Sequence, residues 1–399
     1  MTIYKVRQRF AGEKLADVSA SLRAELTGCG GALKPGARIA IAVGSRGIAN
    51  LPLIVREVVA WVTAQGGSPF IVPAMGSHGG ATAEGQRRLL ETYGITEQNV
   101  GAPIVSSMDA VELGPDAFMD KAAYEADAVI VINRIKPHTS FHGDYESGLL
   151  KMIAIGLAKD AGATAIHRHG VAGLRELMPR VARHILQSGK ILLGIGSVEN
   201  ALDQTLQVRA IPAGLISAVE PELLALARAN MPYLPIEDLD VLVVDEIGKD
   251  ISGTGLDTNI IGRLRIAGQP EPDSPRIKQI IVRDLSAAGG GSAYGIGLAD
   301  VTTRRLVDKT DWPMTNANVQ ASGFAERGKL PHVEATDAEA IAWALRQCAP
   351  TPPDQARVIR IKNTLHLETM LVSEAVVKEL TGKETIEVAG VAGDILERI

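Results

Sequence analysis

Three short segments end in side chains able to hold an anion or move a proton: Gly44-Ser45-Arg46-Gly47, Met75-Gly76-Ser77-His78-Gly79-Gly80 and Lys136-Pro137-His138. Arg46 in its glycine-flanked turn offers a bidentate fork for a carboxylate or phosphate, beside the backbone amides of a helix start. An ordinary surface arginine in a tight turn fits the same residues. His78 stands among glycines without apolar periodicity, so the sequence predicts a reachable imidazole rather than a packed one. A lone solvated histidine is the plainer alternative.

The stretch from Lys136 to Lys151, KPHTSFHGDYESGLLK, is denser in chemistry. It carries His138 and His142, then Asp144, Tyr145 and Glu146, then Ser147-Gly148 before Lys151. Leu149, Leu150, Met152 and Ile153 flank that lysine, which predicts a partly desolvated amine suited to covalent work. A lysine snorkelling from an amphipathic helix fits equally. Further on, His167 and His169 are spaced to share one face of a strand and to bind metal, or else to cap a helix before Gly170. Two glycine-rich loops, Lys249–Gly255 and Gly289–Gly297, match a dinucleotide fingerprint poorly and read as substrate- or domain-facing loops.

These residues need elements to present them, and the pattern is α/β. Arg38–Val43, Pro69–Pro73 and Ala128–Ile135 read as buried strands, and they deliver Arg46, His78 and His138 at their carboxyl ends, where parallel sheets bind ligands. Helices are expected from Asn50, with Pro52 in the first turn and Leu51, Ile54, Val58 and Trp61 on one face, and over Ala83–Tyr93. Ile191–Ile195 reads as a strand and Glu220–Ala229 as a helix. The Pro-marked stretch 231–235 then reads as a linker, after which Asp240–Ile247, Gln279–Asp284, a helix near Asp337–Gln347 and Arg357–Ile361 renew the pattern. The expected architecture is therefore two α/β domains, 1–235 and 236–399, each a mostly parallel sheet flanked by helices, with the site in the cleft between them.

Composition narrows the field. The chain has 399 residues, 46% hydrophobic and 22% charged, which is ordinary for a globular protein and argues against disorder. A net charge of −5 gives no basic excess to attract nucleic acid. Cys29 and Cys348 are the only cysteines, which removes a disulfide framework and any Cys-rich metal site, leaving eight histidines as the main metal ligands and neutral-pH acid/bases. No apolar stretch reaches the length of a membrane span and no secretory signal is evident, so a reducing cytoplasm is expected.

Taken in order, these motifs resemble the nickel-pincer-nucleotide-dependent lactate racemase family of 2-hydroxyacid racemases and epimerases. The Ser45-Arg46 turn resembles that family's Thr-Arg-Pro, Gly76-Ser77-His78 its Gly-Thr-His, Pro137-His138 its Pro-His, and Ser147-Gly148-Leu149-Leu150-Lys151 its Ser-Gly-Gly-Arg-Lys. Lys249-Asp250-Ile251 is similar to its Lys-Asp-Ile, while Gly255 and Thr258 stand where lactate racemases carry Gln and Lys. The resemblance implies an isomerase whose covalently attached cofactor is the nickel-pincer nucleotide, Ni(II) pyridinium-3,5-bisthiocarboxylic acid mononucleotide, made by separate biosynthetic enzymes. It further implies that Lys151 tethers this group with Ser45 and Gly148 beside it, that His167 ligates nickel, that His78 and His138 are the acid/bases, and that Arg46 and Lys249 bind substrate. His142 stays open as the second acid/base, as does His169 as the metal ligand. Two other classes of function fit the residues: a hydrolase or lyase with a His-ligated divalent ion, and a non-catalytic protein binding an anionic metabolite.

Overall fold

The computed structural model describes residues 1–29, 33–44 and 47–396. The chain divides into two compact units, one formed by Met1–Ala11 with Pro232–Ile399, the other by Gly12–Met231. Both are α/β, with mostly parallel sheets flanked by helices.

The strands, in chain order, are β1 (Ile3–Gln8), β2 (Arg38–Val43), β3 (Ser68–Pro73), β4 (Ala110–Gly114), β5 (Ala117–Asp120), β6 (Ala128–Arg134), β7 (Ile191–Glu199) and β8 (Thr205–Pro212). They continue with β9 (Asp238–Ile247), β10 (Arg276–Leu285), β11 (Val301–Thr303), β12 (His332–Glu334), β13 (Val358–Ile361), β14 (Thr369–Ser373) and β15 (Ile386–Ala392). Within Gly12–Met231 the sheet order is β3-β2-β6-β7-β8, parallel except for the β7–β8 pair. The hairpin β4–β5 stands apart from it.

Strand β2 shows why this sheet forms. Its sequence RIAIAV is buried from Ile39 onward, as expected of a parallel strand covered on both faces. Ile39, Ile41 and Val43 point into a core shared with Leu22 and Leu26 and with Ile54, Val55, Val58 and Val62 of helix Leu51–Ala64. The alternate positions, Ala40 and Ala42, are small. Gly44 extends that row, and a Cβ there would approach Met152 Cε to 2.9 Å, so the segment after Lys151 lies close to this face. Asn50 precedes the helix with φ 62 and makes no side-chain cap; its Nδ2 donates instead to Thr205 Oγ1 at 2.9 Å.

In the other unit the sheet runs β12-β11-β10-β9-β13-β14-β1-β15. Pairing is parallel from β12 to β13 and antiparallel from there to β15. The first strand departs from the sequence expectation, which gave residues 1–235 to one domain. Ile3–Gln8 pairs antiparallel with β14 on one side and β15 on the other, which puts it in the unit of Pro232–Ile399. Among the described residues no helix is long and apolar enough to cross a membrane.

Candidate functional site

The carboxyl ends of β2, β3 and β6 lie side by side, so the loops after them emerge from one edge of the sheet. This places the loops of His78 and His138 on either side of the end of β2. Ser45 and Arg46, expected in cofactor and substrate binding, lie outside the described residues.

His78 follows β3 on a loop held by glycine geometry. Gly76 has φ 57, and its N–H donates to Gly156 O at 3.0 Å, which ties the loop to the helical segment beyond Lys151. His78 is exposed, as its glycine surroundings predict. His138 is half-buried, its ring 4.7 Å from that of Phe141, centroid to centroid. Ser140 N–H donates to His138 Nδ1 at 3.0 Å, so in the neutral ring the proton sits on Nε2.

Glu146 organises the His138 loop. Its side chain is fully buried and accepts from the backbone N–H groups of His138 and Gly143, from His142 Nδ1 at 3.2 Å, and from Arg228. Burial would push the Glu146 carboxyl up, but hydrogen bonds from His142, the His138 amide, Arg228 and the Gly143 amide outweigh it, and the pKa lies below the ordinary value. His142 is therefore engaged with Glu146 on an exposed rim, whereas His138 stays on the loop interior. Of the neighbouring acids and phenols, Asp144 is exposed and Tyr145 OH donates to Ser217 O at 2.8 Å.

Lys151 closes a single turn, Leu149–Lys151, and the chain then winds as a π-helix over Met152–Gly156 before the helix Lys159–His167. Wide turns of this kind mark functional sites more often than chance allows. Leu149 and Leu150 are fully buried, which anchors the turn and leaves Lys151 half-buried. Asn133, at the end of β6, donates from Nδ2 to Gly148 O at 2.7 Å. From the other side the carboxylate of Glu220 accepts from Leu150 N–H at 2.9 Å. Burial pushes the Glu220 carboxyl up to about 7, although the amides of Leu150 and Leu149 pull the other way. A Cβ on Gly148 would stand 2.2 Å from Glu220 Oε1, so glycine is needed there for space, its φ of −178 being ordinary.

His167 ends the helix that follows, and burial, with the Lys151 ammonium adding repulsion, pushes its pKa down to about 4. The ring is consequently neutral at pH 7 and near Lys151. Of the two readings of His167 and His169, the shared strand face fails and the helix-capping one before Gly170 holds. Arg168 between them is α-helical, so the two rings diverge; His169 is exposed and accepts from Arg168 Nε at 3.2 Å. Among the described residues no group of three or more His, Cys, Asp or Glu could hold a metal ion.

Lys249 belongs to the other unit, just beyond β9. Its Nζ donates to Asn318 Oδ1 at 2.5 Å and sits 5.9 Å from the centre of the Tyr294 ring. The two glycine loops there pack on each other: a Cβ on Gly255 would meet Tyr294 O at 2.3 Å, and one on Gly295 would meet Thr254 O at 1.8 Å. These two glycines serve loop–loop packing, a reason distinct from phosphate binding.

Sequence reasoning passed over Glu220 and treated Glu146 only as one of several acids. Glu220 lies about seventy residues from its partners along the chain, so no local spacing could announce it. Glu146 had a weak signal, four residues after His142, but only the closed loop shows it as a hub.

Over residues 32–247 the sequence matches the family described as "Domain of unknown function (DUF362)". No curated protein matches it. Among solved structures, the fold is similar to that of the lactate racemase apoprotein from Thermoanaerobacterium thermosaccharolyticum, with a TM-score of 0.52 at 12% identity, covering 90% of this chain and 94% of that one. It is also similar to a Thermotoga maritima protein from the Northeast Structural Genomics Consortium, with a TM-score of 0.50 at 13% identity, covering 86% and 92%. At such identities the likeness is one of fold.

Proposed function

This chain belongs to the DUF362 family, and on that premise, joined to its lactate racemase-like fold, we propose that it is an isomerase: a racemase or epimerase inverting C2 of a 2-hydroxy acid with a lysine-tethered nickel-pincer nucleotide. One observation carries the reading. Two histidine loops, from the parallel strands on either side of β2, flank the buried turn that presents Lys151, and a neutral His167 stands near that lysine.

The donor chemistry fits the group. A tethering amine is half-buried and accessible, and an imidazole kept neutral at pH 7 is the form that ligates a metal. Lys151 would hold the group, with Gly148 at the start of its turn, and His167 would ligate the nickel. When bound, the group supplies a reversible acceptor for hydride.

The chain's own residues do the rest. Removing the α-proton of a 2-hydroxy carboxylate is difficult, since the carboxylate resists a second negative charge. Loss of hydride with loss of the hydroxyl proton leaves instead a planar 2-keto acid, open to return from either face. His78 and His138, on separate loops, would take and give back the hydroxyl proton for opposite enantiomers. In the arrangement seen, Ser140 N–H occupies His138 Nδ1 and the ring proton lies on Nε2, so this ring would take the hydroxyl proton only once Nδ1 parts from Ser140. Arg46 would grip the substrate carboxylate. The proton and hydride transfers stay aligned only while these groups hold the substrate still.

Protein produced together with cofactor-making enzymes tests the proposal. Mass spectrometry should find an adduct on Lys151, and a panel of 2-hydroxy acids should show stereochemical inversion for at least one member. Unmodified Lys151 under these conditions, with no inversion, would sink the reading.

A further inference from the structure

Lys159 is fully buried, and so is Asp120, whose Oδ2 stands 2.8 Å from the Lys159 Nζ. The ammonium has three protons and meets three acceptors: Asp120 Oδ2, Pro73 O at 2.6 Å and Gln86 Oε1 at 3.4 Å. Because Gln86 turns its oxygen to Lys159, its Nε2 faces the other way. That nitrogen donates to Gly76 O at 2.8 Å and to His78 O at 3.2 Å. Asp120 adds a further tie, its N–H donating to Leu157 O at 2.7 Å.

The arrangement is costly. Lys159 adopts φ 56, a left-handed conformation that lysine seldom takes, and burial pulls its pKa down against the opposing pull of Asp120. Buried ion pairs contribute little net stability compared with apolar packing, so stability does not account for this one. Its geometry does. Lys159 lies midway in sequence between Lys151 and His167, and its network ends on two carbonyls of the His78 loop.

We infer that Lys159, acting with Asp120 and Gln86, is the positioning centre that sets the His78 loop against the segment running from Lys151 to His167. None of the three touches substrate; they act through the backbone of His78. The inference rests on the acid/base role proposed for that histidine.

The test compares the full chain with two variants. Gln86→Met keeps the volume and loses every polar contact, whereas Gln86→Glu keeps an acceptor for Lys159 and loses both donors to the loop. Hydrogen–deuterium exchange at the amides of residues 75–81 should quicken about tenfold in both, roughly what one buried hydrogen bond is worth, with Arg38–Val43 and Ala128–Arg134 unchanged. In cofactor-loaded protein, kcat should fall about tenfold or more at nearly constant KM. Adding Gln86→Met to His78→Ala should cost nothing further. Loop exchange at the parental rate in both variants overturns the inference, as does a further loss of kcat in the double variant. Faster loop exchange in the variants of a protein that shows no turnover overturns the racemase reading and leaves the positioning centre standing.

Discussion

The backbone N–H of Leu150 donates to Glu220 Oε2 across 2.9 Å, so a buried carboxyl from helix Ile216–Ala229 closes the start of the turn that presents Lys151. Two positions of one site, remote in sequence, are thereby coupled, and the coupling is measurable.

Glu220 should make stability pH-dependent. Its folded pKa, about 7, lies above the ordinary carboxylate value of 4.5, so the protonated form is the one the fold favours. This contribution is fully present below about pH 4.5 and is lost as the pH rises through about 7, on the order of 3 kcal/mol in all. Urea unfolding at several pH values should show the decline, and Glu220→Gln, an uncharged mimic, should flatten it. An identical slope in the variant would remove Glu220 as its source.

Gly148 tests the same contact by bulk. An alanine Cβ there would lie 2.2 Å from Glu220 Oε1, so Gly148→Ala should cost about 1–3 kcal/mol through overpacking. Combined with Glu220→Ala, the two losses should be less than additive. A coupling under about 0.5 kcal/mol in a double-mutant cycle would argue against direct crowding.

His78 is exposed and stands outside the apolar clusters, so His78→Ala should leave the melting temperature within about 2 °C of the parent. Inversion of substrate by cofactor-loaded protein should nevertheless fall about 100-fold or more. A variant that keeps its turnover would show that the proton moves through another group.

The C-terminal unit offers a prediction of stability alone. Asp245 accepts from Arg360 Nε at 2.7 Å and Nη2 at 2.9 Å, and from Arg283 Nη1 at 2.6 Å. Arg360 is buried, so Asp245→Ala should cost about 3 kcal/mol by chemical denaturation, with Asp245→Asn milder. Equal stability of parent and alanine variant would mean that water serves Arg360 as well as the carboxylate does.

The strands were legible from their own residues. IAIAV and AVIVI are apolar without interruption and rich in β-branched residues, and hydrophobic burial in a parallel sheet asks little more of a sequence. The glycine loop around His78 was legible for a similar reason, since positive φ at Gly76 and Gly79 is a local demand. Strand β1 was not, because MTIYKVRQ pairs with residues more than 360 positions away, and nothing local names a distant edge.

Composition, strand pattern and the order of Arg46, His78, His138, Lys151 and His167 belong to the sequence alone, because periodicity, turn chemistry and charge are properties of neighbouring residues. Which histidine turns to Glu146, where His167 lies relative to Lys151, and what closes the turn at Gly148 were decided only in three dimensions. Burial sets those answers: a carboxyl at 220 or an ammonium at 159 acquires its partners and its protonation from groups the fold brings together, not from its neighbours along the chain.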